Sequence, residues 1–251
     1  MIRVGVLGTA NIAERRMIPA IKKCNGFEYV CAAVSSREET GEEYSEEDFF
    51  PLRQRKEKKA AEFVRKFGGQ SVCGYGEMLK RTDIDAVYIP LPPALHFRWA
   101  MEALRHGKHI LVEKPFSTCV TDTRRVIEEA QKRGLSVMEN YGFCFHEQVR
   151  LIRQMIAADE IGELRLIRAS FGFPHRDSHD FRYAKKMGGG ALLDCGGYTL
   201  KAASVFLGDD ARIVDSSSVI TKDHEVDVFG TASLRGKNGL TAQVSYGMDH
   251  Y

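Results

Sequence analysis

The residues best suited to chemistry are Lys114, Asp194 and Tyr198, with two stretches suited to holding phosphate, Gly8 to Ile12 and Ser36-Arg37. Lys114 follows the apolar run Ile110-Leu111-Val112, in the sequence Glu113-Lys114-Pro115. If that run is a strand of a parallel sheet, the ammonium lies at its carboxyl end, where such sheets hold their ligands. Asp194 and Tyr198 are four residues apart, so a helix would project both from one face. Gly188, Gly189 and Gly190 just before them give the backbone freedom beside a ligand. A glycine turn and helix cap would also account for that stretch.

Phosphate chemistry enters at the amino terminus. Val4 to Leu7 reads as a short buried strand, followed by Gly8-Thr9-Ala10-Asn11-Ile12-Ala13 and a helical pattern through Met17, Ile18 and Ile21. The spacing G-x-A-x-x-A is a relaxed dinucleotide fingerprint. Gly8 takes the turn, Ala10 lets the backbone approach a pyrophosphate, and Ala13 lets the helix pack on the strand. Asn11 is suited to cap the helix whose amino end faces the phosphates. A second strand, Tyr29 to Val34, ends in Ser35-Ser36-Arg37. An acid there would select the free 2′-hydroxyl of NAD, whereas Ser36 and Arg37 suit a 2′-phosphate, so NADP(H) is preferred with NAD(H) as the alternative. A solvated loop arginine is the plainer reading of Arg37.

These residues need a frame. Strand candidates at 86–89, 109–112 and 135–138 alternate with helical patterns at 97–104 and 121–132, which implies right-handed crossovers and a parallel sheet. Pro90-Leu91-Pro92-Pro93 takes the chain out of the sheet over the cofactor face, so Leu91 and Pro92 are expected at the cofactor. His96, at the start of the following helix, is placed to cap it or to meet the cofactor. Residues 38–59 carry an acidic block and then a basic one and read as a solvated loop or exposed helix face, with a helix resuming by Ala60 and stopped by Gly68-Gly69. The basic half of that loop leaves from the cofactor end of the second strand, within reach of a 2′-phosphate. Beyond residue 145 the texture changes to alternating strands at 164–171, 211–220, 226–234 and 240–246, with a turn at 236–239, which predicts a largely antiparallel second sheet. Two domains are therefore expected, residues 1–145 and 146–251.

Composition narrows the partners. In 251 residues, 36 basic and 34 acidic side chains leave a formal net charge of +2, too balanced to attract nucleic acid or an anionic membrane. No apolar run approaches a membrane span and the chain opens directly into a strand, so a cytoplasmic protein is expected. The six cysteines show no metal-ligand spacing and read as reduced thiols, and no metal is expected.

The glycine turn, the proline-rich 89–96 segment, Glu113-Lys114-Pro115 and Gly188-Gly189-Gly190-Ala191-Leu192-Leu193-Asp194, in that order, resemble the Gfo/Idh/MocA family of nicotinamide-dependent oxidoreductases. The resemblance implies an amino-terminal Rossmann domain and a carboxy-terminal α/β domain with an open, mostly antiparallel sheet used for substrate binding and dimerisation. It also implies a longer second domain than this sequence contains, so 146–251 is expected to be shortened. Lys114 would be the catalytic lysine, Asp194 its neighbour, Glu113 part of the cofactor loop, and Tyr198 the acid or base where many members have histidine. Tyrosine there resembles the branch with glucose-fructose oxidoreductase and dimeric dihydrodiol dehydrogenase, which tends to use NADP. The implied reaction is hydride transfer at a hydroxyl or carbonyl carbon of a sugar, polyol or cyclic diol, in a site between the domains. His179, Asp180 and Arg182 are expected substrate contacts, with a solvated loop as their alternative. A non-catalytic NADP-binding sensor and an NAD-dependent inositol or aldose dehydrogenase are the rival functions.

Overall fold

The computed structural model describes residues 1–177, 180–223, 225–237 and 239–249. The chain divides into two compact units, Met1–Asn140 and Tyr141–Tyr251.

In the first unit the strands are β1 (Ile2–Leu7), β2 (Phe27–Val34), β3 (Gln70–Cys73), β4 (Ala86–Ile89), β5 (His109–Val112) and β6 (Val137–Glu139). They form one parallel sheet in the order β3-β2-β1-β4-β5-β6. That order reverses direction between β1 and β4, which opens the ligand crevice at their carboxyl ends. The helices are α1 (Ile18–Lys23), α2 (Glu46–Phe67), α3 (Tyr75–Leu79), α4 (Pro93–Arg105) and α5 (Val120–Arg133). Buried clusters cover both sheet faces, one around Leu7, Ile89, Trp99 and Leu104, the other around Val6, Ile18, Phe63 and Tyr88. Each large apolar side chain so buried contributes roughly 1.5–3 kcal/mol. A solvent-screened pair such as Arg3–Asp85 adds little beside this burial, so the core holds the sheet.

The segment to residue 59, which reads as a solvated loop or an exposed helix face, is helical from Glu46, because Ser45 Oγ accepts from Asp48 N at 3.1 Å and three acids fill the first turn, where the helix dipole favours them. Its charges masked the buried Phe49, which lies on the same helix as the buried Ala60 and Phe63. Gly68 ends it as expected, at φ +76° with its N–H on Val64 O. The short edge strand β3 and α3 were not foreseen; four and five residues are too few for a periodic signal.

The second unit contains α6 (Glu147–Ala157), β7 (Leu166–Gly172), a wide helical turn (Leu192–Gly196) running into α7 (Gly197–Leu207), β8 (Arg212–Ile220), β9 (Asp227–Arg235) and β10 (Thr241–Gly247). The sheet order is β7-β10-β9-β8. β8, β9 and β10 are antiparallel neighbours as expected, whereas β7 pairs β10 in parallel, which a long connection permits and a hairpin does not. Alternation along β9 and β10 turns Ala232, Leu234, Ala242 and Val244 toward Ala203 and Leu207 of α7.

Candidate active site

Gly8 leaves β1 at φ +92°, its N–H donating to Ala33 O at 2.8 Å. A Cβ there would stand 3.2 Å from Leu91 and 3.3 Å from the Tyr75 hydroxyl, so this turn presents bare backbone, which suits the close approach of a pyrophosphate. Residues 11–23 are helical, with a wide turn over Ala13–Met17. Asn11 lies inside that helix and its Oδ1 accepts from Lys59 Nζ at 2.7 Å. The expected cap is thereby replaced by a tether to α2. Gly8, Thr9 and Ala10 line a cavity of about 300 Å³ together with Leu91, Pro92 and Lys56; Ile12 lies outside its lining and is 41% exposed.

A second cavity, about 240 Å³, lies at the end of β2 and is lined by Ser35, Ser36, Arg37, Glu46, Arg53 and Lys56. Lys56 therefore borders both. Arg37 pairs with Glu46 at 2.9 Å and lies 3.5 Å from Glu38, while Ser36 Oγ donates to Glu38 at 3.0 Å. The Glu38 carboxyl is held below the usual carboxylate range by its own backbone N–H and then by Ser36. The sequence marks Glu39 only as part of an acidic run. Its carboxylate accepts from Ser36 N, Tyr75 N and Gly76 N at 2.8–2.9 Å and so ties the end of β2 to α3. The spacing Ser36-x-x-Glu39, a capping box, was the available signal.

His96 is fully buried on α4, with Nδ1 2.7 Å from Pro115 O and Nε2 2.7 Å from Leu91 O. Burial pulls its pKa down against the opposing pull of the two carbonyls. Both nitrogens are committed to backbone, so His96 ties the Leu91 loop to the Lys114 loop. Glu113 Oε1 accepts from Tyr88 OH at 2.5 Å and from Asn140 Nδ2 at 2.6 Å, and Phe116 N donates to Glu139 Oε1 at 2.7 Å. Lys114, half-buried with a cis peptide to Pro115, thus leaves β5 from a backbone held on both sides.

In the second unit, Arg182 Nε donates to Asp194 Oδ2 at 2.7 Å and Arg182 Nη1 lies 3.1 Å from Asp180 Oδ1. Burial lowers the Arg182 pKa, but Asp194 and then Asp180 raise it further, so the guanidinium stays charged. These three expected site residues form one ion chain, while His179 lies outside the described residues. The Tyr198 ring packs edge-on against Tyr141 at 5.4 Å and Phe171 at 5.2 Å, and tilted against Phe143 at 6.1 Å. Gly197 permits this: a Cβ there would come within 2.1 Å of Tyr141 OH. Asp194 sits in the wide turn and Tyr198 in α7, so no single regular helix carries both.

Asp227, which carried no sequence signal, accepts from Leu192 N at 2.6 Å and caps that turn. Gly190, at φ +117°, makes room for it, because a Cβ would fall 2.3 Å from Asp227 Oδ1. Among the described residues no group of three or more His, Cys, Asp or Glu could hold a metal ion, and no helix is long and apolar enough to cross a membrane.

The oxidoreductase family model with an NAD-binding Rossmann fold matches residues 2–141, and the GFO/IDH/MocA C-terminal domain matches residues 149–251. The chain is 41% identical over 249 residues to a dTDP-3,4-didehydro-2,6-dideoxy-alpha-D-glucose 3-reductase of Actinomadura kijaniata, covering 99% of this chain and 69% of that protein. It is 30% identical to a D-xylose 1-dehydrogenase (NADP(+)) of Haloferax volcanii, over 98% of this chain and 69% of the relative. Among solved structures, a 3-ketoreductase from Actinomadura kijaniata in complex with NADP and TDP-benzene superposes with a TM-score of 0.87 at 40% identity, over 99% of this chain and 70% of the other.

Proposed function

The chain belongs to the GFO/IDH/MocA oxidoreductase family, and on that premise we propose that it is an NADP-dependent enzyme reducing a carbonyl, or oxidising the matching hydroxyl, on a sugar. A deoxy keto sugar linked to a nucleoside diphosphate heads the candidate substrates, ahead of polyols and cyclic diols, because the 41%-identical relative is named for such a substrate. The observation that carries the cofactor choice is the cavity at the end of β2, where Ser36 and Arg37 stand in place of an acid directly after the strand and Arg53 and Lys56 line the wall, three cations against the carboxylates of Glu38 and Glu46.

The residues present fit a dinucleotide: bare backbone at Gly8 for the pyrophosphate, the Leu91-Pro92 wall beside it, and Ser36, Arg37, Arg53 and Lys56 in the second cavity for the 2′-phosphate. When bound, the nicotinamide carries the hydride. The protein's part is to orient the reacting carbon and manage one proton. Lys114 stabilises the negative charge that develops on the substrate oxygen, and Tyr198 exchanges the proton with that oxygen. Variants of the Actinomadura ketoreductase at one lysine and at one tyrosine have been solved, and those two positions are separated by the same interval as Lys114 and Tyr198. Arg182, held by Asp180 and Asp194, is the substrate contact offered by the second unit. That unit also carries self-association, for which β8 offers exposed Ile213, Val214, Val219 and Ile220.

The test is titration with NADPH and NADH. Unmodified protein should bind NADPH more tightly, and Arg37→Ala should weaken NADPH by about tenfold or more, the cost of a lost charge-assisted bond, while barely moving NADH. Equal affinities before mutation would refute the NADP assignment.

A further inference from the structure

The helix α2 approaches the cofactor cavities with several cations, and their partners differ. Arg37, on the loop after β2, is engaged by the carboxylates of Glu46 and Glu38. Arg53 is engaged by Glu57 at 2.8 Å. Lys59 is tethered to Asn11. Lys56 is placed otherwise: its Nζ donates at 2.5 Å to a neutral oxygen, Ser35 Oγ, in the residue that follows β2. It lines both the Gly8 turn cavity and the Ser36-Arg37 cavity, and lies 5.7 Å from the Phe49 ring. An ammonium resting on a hydroxyl at the rim shared by two cavities has spent little of its charge on the protein.

We infer that Lys56 is a specificity-determining residue for the 2′-phosphate of NADP, a second cation delivered by α2 beside Arg37. The inference rests on the NADP reading above. The geometry gives the reason for two cations: Glu46 already neutralises much of Arg37, so an incoming phosphate must compete for it, whereas Lys56 turns from Ser35 without giving up an ion pair. Burial lowers the Lys56 pKa against the opposing pull of Glu39 and Glu42, a cost that an arriving phosphate would relieve. The aliphatic stem fills the same space in methionine, so its packing survives loss of the charge.

The experiment measures the affinities of NADPH, NADH, 2′-phospho-ADP-ribose and ADP-ribose for the unmodified chain and for Lys56→Met, Lys56→Arg and Lys58→Met. Lys58 is exposed on the same helix and lines neither cavity, so it controls for a simple change of net charge. Lys56→Met should weaken NADPH and 2′-phospho-ADP-ribose by about tenfold, the scale of a charge-assisted phosphate contact, and the two ligands without the phosphate by less than about twofold. Lys56→Arg should keep most of the preference, and Lys58→Met should leave all four affinities unchanged. An unchanged preference in Lys56→Met, or an equal loss for all four ligands, overturns the inference while leaving the NADP assignment standing if Arg37→Ala still selects against NADPH. A failure of that assignment shows itself differently, as unmodified protein that binds NADH as tightly as NADPH.

Discussion

Lys114→Met is expected to lower turnover by about 10²–10³-fold, the usual loss when a donor to a developing oxyanion is removed. Cofactor affinity should stay where it was. The split follows from the architecture. The Gly8 turn and the Ser36-Arg37 cavity lie at the ends of β1 and β2 and are built without Lys114. Its loop, in turn, is held by contacts that do not use the ammonium: Glu113 with Tyr88 and Asn140, Phe116 N with Glu139, and His96 with Pro115 O. Methionine keeps the length of the stem and removes the charge, so the loop should stay in place. Steady-state turnover beside a fluorescence titration with NADPH checks both halves, and normal turnover in the variant sinks the assignment of Lys114.

Tyr198→Phe should cost about 10²-fold in turnover, the lower end of what general acid–base catalysis contributes. The melting temperature should barely move. The Tyr198 ring is packed between Tyr141, Phe143 and Phe171, and phenylalanine presents the same ring to all three. A loss of turnover without a loss of stability therefore isolates the hydroxyl. If Tyr198→Phe is as active as the parent, another group moves the proton. If it melts much lower, the hydroxyl holds structure.

The strands of the first unit were legible because buried parallel strands are short apolar runs bounded by glycine and proline; 86–89 and 109–112 were read to the residue. Five strands of the parallel sheet and the antiparallel β8-β9-β10 ladder followed from that punctuation. What stayed open was α2 before Ala60, loop or exposed helix face, where charge density hid the buried Phe49; what was missed was β3, an edge strand with little apolar signal. The residues missed at the site are single polar groups whose partners are remote in sequence. Asp227 caps a turn 35 residues upstream, and Asn140 reaches back 27 residues to Glu113, so no local pattern marks either. His96 shows the converse. Its position beside a proline-rich cofactor loop was legible, but only the fold reveals that both ring nitrogens are taken by carbonyls.

If this chain passes a hydride between NADP and a sugar carbon, the hydrogen can be followed. The most direct measurement follows deuterium from the transferable C4 position of NADPH into product. The chain is incubated with a panel of nucleoside-diphosphate-linked keto sugars, free keto sugars and aldoses, and product is read by mass spectrometry. Label is expected on the carbon that bore the carbonyl of at least one sugar, and its disappearance with Lys114→Met. Tight NADPH binding with no label in any sugar would contradict it, and would mark the chain as a protein that senses the nucleotide without turning it over.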